Sequence, residues 1–442
     1  MENYELIINF FRGIGAEREA NDYLKLFKKG NPARFAVIKV GGRILEQNLS
    51  MLALDLAFLS NLDLFPVVIH GGGPQIDVEL QKHGIEFRKK DGIRVTPREA
   101  IPVLKTVLDK ANRELVDRIH ADGGTAVGLT EGIFSAEKHP DPDLGYVGVV
   151  TGVNLEPIFK AIRKDQVPIV SPLGFDADGQ AYNINADTAA RAMVLALKPK
   201  KYILITEEGG IRGATGRIIS TINCANDYDY LIKSGIVYGG MLLKLTEAKT
   251  LLEQIGTPMV VEITSPGKLL KELFTVQGGG TFIKLGSEVH TFKDYRKTST
   301  PRLRGLIESS FGRKLVNGFF AKPPHAVILE ENYRGAAVLR KVQSMYYLDK
   351  FAVREGAQGE GIGSDLWEVI EKDYPKVFWR ARPENPVNLW YFKHCDGVRK
   401  FEKWFVYWMG LNERQIKEAI AYALEQPESL LPFPAKPAAA QP

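Results

Sequence analysis

The sequence predicts an α/β domain with a mainly parallel sheet sandwiched by helices, followed by a smaller α+β domain. From residue 35 to about 285, apolar β-rich runs alternate with helical patterns, as expected of a buried parallel sheet. Beyond residue 300 strand-like runs follow one another closely, as expected of a mostly antiparallel sheet. Each half also carries a glycine-rich turn after a strand-like run, at His70-Gly71-Gly72-Gly73-Pro74 and at Gln358-Gly359-Glu360-Gly361-Ile362-Gly363. Such turns offer backbone amides to a phosphate.

In chain order, residues 1–29 predict a helical segment with an apolar stripe (Leu6, Ile7, Phe10, Phe11, Ile14) interrupted by Gly13 and Gly15. A stripe ahead of the first strand must be covered, either by packing back on its own domain or by pairing with another subunit, and self-association is expected. Strands are then expected at Phe35–Val40, Pro66–His70, Val167–Pro172, Tyr202–Thr206, Met259–Ile263 and Thr281–Leu285, giving a first domain over 30–285. The polar stretch 286–300 reads as a linker. A second domain over 301–426 follows, with strands at His325–Glu330, Ala336–Val342, Tyr346–Arg354, Val377–Arg382 and Trp404–Leu411. Helices are expected there at 301–316, 362–373 and 412–425. The Pro- and Ala-rich end, 427–442, reads as a disordered tail.

Composition narrows the function classes. The 442 residues carry a net charge of +5, which suits small anionic ligands but is too weak and dispersed for nucleic acid. No apolar run approaches the roughly 20 residues of a membrane helix. Two cysteines and seven histidines form neither a disulfide framework nor a metal-ligand pattern. The opening Met-Glu-Asn-Tyr-Glu lacks a basic leader flank, and a cytoplasmic protein is expected.

In the first domain a strand-end lysine precedes two glycines, Lys39-Val40-Gly41-Gly42, setting a cation beside a backbone that a phosphate can approach. The His70–Pro74 turn places Pro at a first helical position. With Lys90-Asp91-Gly92-Ile93-Arg94, Asn183-Ile184-Asn185-Ala186-Asp187 and Gly239-Gly240-Met241-Leu242-Leu243-Lys244, these segments resemble the amino acid kinase family, and N-acetylglutamate kinases in particular. The resemblance covers 35–285. It implies the amino acid kinase fold, ATP with Mg²⁺, and phosphorylation of N-acetylglutamate. Lys39 and Lys244 would face the moving phosphoryl group, with Asp187 pairing to both. Arg94 and Asn183 would bind the acylamino acid, and the amides of Gly72 and Gly73 its reacting carboxyl. Thr206-Glu207-Glu208 departs from the family, which usually has an aspartate at this point.

In the second domain the strand-like run Tyr346–Arg354 feeds the second glycine turn and then a helical pattern. With Phe378-Trp379-Arg380-Ala381-Arg382-Pro383-Glu384-Asn385 and Trp390-Tyr391-Phe392, it resembles the GNAT-type acetyltransferase domain of N-acetylglutamate synthases. Gln358, Gly361 and Gly363 would hold the pyrophosphate of acetyl-CoA, and the backbone of Phe351 and Val353 its pantetheine arm. Lys350 and Arg380 would bind the carboxylates of L-glutamate, with Lys314 and Arg382 as further candidates. Asn385 would position substrate, and Tyr391 would protonate the leaving thiolate.

The segment Leu269–Thr281 resembles the arginine-site segment of arginine-sensitive members, which implies L-arginine as an inhibitory effector. The two resemblances together imply a bifunctional enzyme of arginine biosynthesis. The alternative is one live activity with the other domain as a regulatory or sensing module. A homo-oligomer, a dimer of dimers or larger, is expected.

Overall fold

The computed structural model describes residues 35–90, 92–257, 259–274, 279–354 and 361–432. The helical segment expected at 1–29 and the pyrophosphate residue Gln358 lie outside them. The chain divides into two compact units between Leu285 and Gly286.

The first unit runs β1 (Ala36–Val40), α1 (Gly42–Ser60), β2 (Val67–His70), α2 (Gly73–Lys82), β3 (Lys89–Lys90), β4 (Ile93–Arg94), α3 (Ala100–Ala121), β5 (Ala126–Leu129), β6 (Phe134–Lys138), β7 (Gly148–Val153), α4 (Glu156–Ile162) and β8 (Val167–Val170). It continues with β9 (Leu173–Phe175), β10 (Ala181–Asn183), α5 (Ala186–Leu197), β11 (Lys201–Ile205), β12 (Thr221–Asn223), α6 (Cys224–Lys233), α7 (Gly239–Ile255), β13 (Val260–Thr264), α8 (Leu269–Phe274) and β14 (Thr281–Lys284). Eight strands form one sheet in the order β12-β14-β13-β11-β1-β2-β8-β5. Neighbours are parallel except β13 and β14. All six runs expected from the sequence join this sheet. Strands β1 and β2 are buried along nearly their whole length, which is why they read as continuous apolar runs. The edge strands β5 and β12 are only four and three residues long, so periodicity does not reveal them. A second sheet, β10-β9-β6-β7, carries Asn183 at the end of β10.

Strand register positions the first site. Val40 pairs with His70 on one side and Ile205 on the other, and Ile205 pairs in turn with Thr264. The segments that follow these strands, Gly41-Gly42, Gly71–Gly73 and Thr206–Glu208, therefore leave the sheet at one level. Chain order reverses across β1 here, the crevice where ligands bind in open parallel sheets.

The second unit runs β15 (Val289–Phe292), α9 (Thr300–Phe311), β16 (Lys314–Leu315), β17 (Ala326–Glu330), β18 (Gly335–Val342), β19 (Met345–Val353), α10 (Ile362–Asp373), β20 (Val377–Ala381), α11 (Asn388–Lys393), β21 (Gly397–Lys400), β22 (Phe405–Met409), α12 (Glu413–Glu425) and β23 (Leu430–Leu431). Its seven-stranded sheet has the order β15-β17-β18-β19-β20-β22-β21. Only β19 and β20 pair in parallel, through Tyr346–Val377 and Tyr347–Phe378. Beyond those residues the two strands separate. Alternate side chains enter different cores, as the pleat requires. Ala326 and Ile328 pack with α10, whereas Val327 and Leu329 pack with α9. On β20, Trp379 joins the α10 core and Phe378 the core containing Ala419 and Ala423 of α12.

Two expectations need correction. The linker 286–300 contains β15, an edge strand antiparallel to β17, and buried Tyr295. An edge strand with one solvated side has a polar composition, so it resembles a linker. The disordered tail 427–442 is ordered at its start, where Leu430–Leu431 pairs with Lys314–Leu315. A two-residue strand supported by side-chain contacts leaves no periodic signal. No described helix is long and apolar enough to cross a membrane.

His70 supports the first site from below. It is fully buried, its Nδ1 lies 3.1 Å from the Gly71 carbonyl, and its Nε2 lies 3.1 Å from Ser171 Oγ and 3.2 Å from Asn112 Nδ2. Burial lowers its pKa to about 4, so the folded ring is neutral where the unfolded ring begins to protonate near 6.5. This contribution to stability is complete above pH 6.5 and is lost as pH falls towards 4, to the extent of about 3 kcal/mol. Denaturation of the first unit followed over pH 7 to 4 should show that loss, and His70→Gln should flatten it.

Candidate functional site

At the first site Lys39 Nζ lies 2.9 Å from Asp187 Oδ1 and 3.1 Å from Oδ2. Asp187 is fixed locally: Asn185 caps α5, and its side-chain oxygen accepts from the Asp187 amide at 2.8 Å. Lys244, in the second turn of α7, pairs instead with Glu208 at 3.6 Å. The expected Asp187 link to both lysines is thus divided between two acids. Glu208 is held below the usual carboxylate range, first by its own backbone amide and then by Lys244. Glu207 reaches Arg43 at 3.1 Å. The departure Glu207-Glu208 therefore supplies partners to two cations. Asp187, Lys39 and Lys244 share one field, since all three act on the Glu247 carboxyl, which burial raises.

The two glycine turns touch. A Cβ on Gly42 would stand 2.8 Å from the Gly73 nitrogen and 2.9 Å from Gly72 Cα, so glycine alone lets the turns meet backbone to backbone. Gln75 locks them by donating to the Gly42 carbonyl at 2.7 Å. Gly72 caps α2, and the first amides of any helix lack intrahelical acceptors. Gly42→Ala should cost about 1–3 kcal/mol of stability through overpacking. It should also raise the KM for the phosphate donor, as thermal melting and steady-state kinetics would show.

Arg94 is buried beside this turn. It donates to the Gly73 carbonyl at 2.9 Å, pairs with Asp77, and lies 4.9 Å over the Phe87 ring. Asn183 donates to Thr96 Oγ1 at 3.0 Å. Sequence reasoning missed Arg43, Gln75 and Asp77, and it named Glu208 only as a departure, without its partner. Arg43 directly follows the Lys39 motif and was open to detection; the other three partnerships cross the fold.

Among the described residues no group of three or more His, Cys, Asp or Glu side chains could hold a metal. Magnesium commonly takes one or two carboxylates plus nucleotide phosphates, and a site of cations, amides and single acids suits a metal that arrives on its nucleotide.

At the second site Gly361 caps α10 at φ +77°, a left-handed conformation that glycine adopts without penalty. A Cβ on Gly363 would lie 3.7 Å from Val353 and 3.9 Å from Phe351, so the helix start abuts the strand expected to hold the pantetheine arm. Tyr391 is buried among Trp367, Trp379 and Tyr407. Burial raises its phenol well above the usual tyrosine value, so the proton is retained at neutral pH. Asn385 spends its side-chain oxygen on the Val387 amide at 3.0 Å, a local turn that opens α11.

The two cations expected to grip glutamate are engaged by the chain itself. The pairing of β18 with β19 skips Asp349 as a bulge. Lys350 is buried against Asp349, 2.7 Å from Ser429 Oγ and 4.8 Å over the Phe319 ring. Burial pushes its ammonium down, against the pull of Asp349. Arg380 donates to the carbonyls of Ala423, Gln426 and Pro427 at 2.6, 2.8 and 3.0 Å. Both therefore bind the segment expected to be a disordered tail. Arg382 pairs with Glu428 at 2.7 Å, and Lys403 with the same carboxylate at 2.6 Å; neither Lys403 nor Glu428 was found from the sequence.

Residues 34–262 match the amino acid kinase family. The chain belongs to that family. Residues 287–426 match the N-acetyltransferase domain of N-acetylglutamate synthase, so an acetyltransferase domain follows the kinase domain. The chain is 38% identical over 420 residues to an acetylglutamate kinase of Xylella fastidiosa, covering 95% of this chain and 100% of the relative. It is 30% identical over 407 residues to the mitochondrial N-acetylglutamate synthase of Homo sapiens, covering 89% and 72%. N-acetylglutamate synthase from Neisseria gonorrhoeae, solved with coenzyme A and N-acetyl-glutamate, shares the fold at a TM-score of 0.63 and 20% identity, over 92% of this chain and 96% of that one. Both predicted domain folds are therefore found, in the predicted order.

Proposed function

We propose that this enzyme both makes and phosphorylates N-acetylglutamate. The carrying observation is the Lys39–Asp187 pair at the level of two interlocked glycine turns, in a chain whose other domain carries a separated β19–β20 pair with Tyr391 in the adjoining core. In the kinase domain the γ-carboxylate attacks the terminal phosphoryl of ATP while Lys39 and Lys244 balance charge developing on the phosphoryl oxygens. Asp187 and Glu208 keep the two ammonium groups in place. The amides of Gly72 and Gly73 hold the attacking carboxyl, and Arg94 and Asn183 hold the rest of the acylamino acid.

In the acetyltransferase domain the separation of β19 from β20 leaves room for the thioester between strands. The Gly361–Gly363 turn would carry the pyrophosphate, with Gln358 beside it, and the backbone of Phe351 and Val353 the pantetheine arm. The amine of L-glutamate attacks the thioester carbonyl, and Tyr391 gives its proton to the departing thiolate. Thiol release with glutamate and acetyl-CoA tests this half, and ADP release with N-acetylglutamate and ATP tests the other. Activity in one assay alone would leave a single live activity with an accessory domain.

L-arginine is proposed as an effector at the Leu269–Thr281 segment. There Lys201 contacts Glu262 at 2.9 Å and the Glu272 carbonyl at 2.6 Å, while Glu262 Oε2 is buried without a hydrogen-bond partner. Burial raises Glu262 to about 7 and Glu272 in the same direction, so an added guanidinium would relieve both acids. Calorimetry without arginine binding, together with arginine-insensitive turnover, would remove this part. Homo-oligomer formation through residues 1–29 belongs to the same reading, and comparing the solution mass of the full chain with a form lacking them tests it.

A further inference from the structure

We infer that the strap Gln426–Leu431 closes the acceptor site of the acetyltransferase domain and that Glu428 stands where an acceptor carboxylate docks, so that acceptor binding exchanges one carboxylate for another. The inference rests on the proposed acetyl transfer to a dicarboxylic amino acid. The strap engages the side chains of three of the four cations that the sequence offers for acceptor carboxylates and pairs with the backbone of the fourth. Lys314 belongs to the strand that pairs with Leu430–Leu431, Lys350 meets Ser429, Arg380 meets the Gln426 and Pro427 carbonyls, and Arg382 meets Glu428.

These contacts differ in kind. Arg380 makes three hydrogen bonds to backbone carbonyls at the end of α12, and Lys350 is buried with its own counter-ion. Both are fixed anchors, and they grip the residues on either side of Glu428. The Glu428 side chain is 29% exposed, as are Arg382 at 28% and Lys403 at 61%. Glu384 lies 3.9 Å from Arg382 and is 67% exposed. Solvated pairs of this kind are held by about 0–1 kcal/mol, so an incoming carboxylate can replace Glu428 where it could not dislodge the anchors. Lys403 and then Arg382 favour the charged form of Glu428, which makes it an anionic occupant. An open cleft lined by Arg382, Pro383, Glu384, Glu402 and Lys403 gives a dicarboxylate access to the two cations.

Exchange makes a prediction opposite to that for a supporting residue. Glu428→Gln keeps the shape and removes the competing charge. Calorimetric titration of the full chain with glutarate and with L-glutamate should therefore show about two- to fivefold tighter binding for E428Q than for the unmodified protein. The KM for glutamate in thiol release should fall by the same factor with kcat unchanged, and ADP release from N-acetylglutamate and ATP should stay the same. Equal or weaker dicarboxylate binding by E428Q, or no binding by either protein, overturns the exchange. If E428Q binds glutarate more tightly while neither protein releases thiol with glutamate, the exchange stands and the acetyl-transfer reading fails.

Discussion

Replacing Lys39 with Met is expected to lower kcat for ADP release from N-acetylglutamate and ATP by roughly 100- to 1,000-fold, the loss that follows removal of one preorganised group facing transition-state charge. Lys39 is largely buried at 15% exposure and held by both oxygens of Asp187, so its ammonium needs little reorganisation as charge develops. Asp187 is itself oriented by Asn185. The substitution also strands a carboxylate beside the donor phosphates, which adds repulsion in the same direction. The substrate KM should change far less than kcat, because the interaction strengthens only as the phosphoryl group moves. Thiol release by the acetyltransferase domain serves as the internal control and should be unaffected. A kcat for ADP release within about threefold of the unmodified enzyme would remove Lys39 from the site.

Tyr391→Phe should lower thiol release from acetyl-CoA and glutamate by roughly 100- to 10,000-fold, the range contributed by a positioned general acid, with ADP release intact. The ring is packed by Trp379 and Tyr407 at 5.4 and 5.5 Å between centroids. Phenylalanine preserves that packing and loses only the hydroxyl, so a change in melting temperature would not account for the loss. Burial raises the phenol pKa, which weakens it as an acid but keeps it protonated throughout the working range. The alkaline limb of the kcat profile should therefore not come from Tyr391 below about pH 10. Full turnover by the Phe variant would require another proton donor.

The two domains differ in how much of their sites could be read from the chain. Lys39, Gly42, Gly72 and Gly73 follow directly from strands whose continuous apolar runs mark them as buried and parallel. Each is tied to its strand end within three residues, so locating the strand locates the group. Asn185 and Asp187 were equally accessible, because a helix cap and its first turn are local devices. In the acetyltransferase domain Gly361 and Gly363 were accessible by the same means, whereas Tyr391, inside a short helix among aromatics, was singled out only by the resemblance. Lys350 and Arg380 were placed on their strands, but their contacts to the chain's own end were not legible, since Ser429 lies 79 residues beyond Lys350 and the carbonyls that Arg380 meets lie 43–47 residues beyond it. Nothing in the spacing of cations along a strand says whether a substrate or the chain's own end will reach them.

The sequence by itself determined the two glycine-rich turns, the parallel sheet before the antiparallel one, and the family to which the kinase half belongs. The sheet order rests on periodicity, the turns on glycines whose backbone requirements are local, and the family on the resemblance carried by the combined motifs. The Asp187–Lys39 pair was implied by the resemblance, but tertiary structure alone decided that Glu208 holds Lys244 and that Glu428 meets Arg382 and Lys403. It also turned a polar linker into an edge strand and a disordered tail into a strap. Ion pairing depends on where separate segments cross, and crossing is fixed by sheet register and core packing rather than by any short stretch of residues.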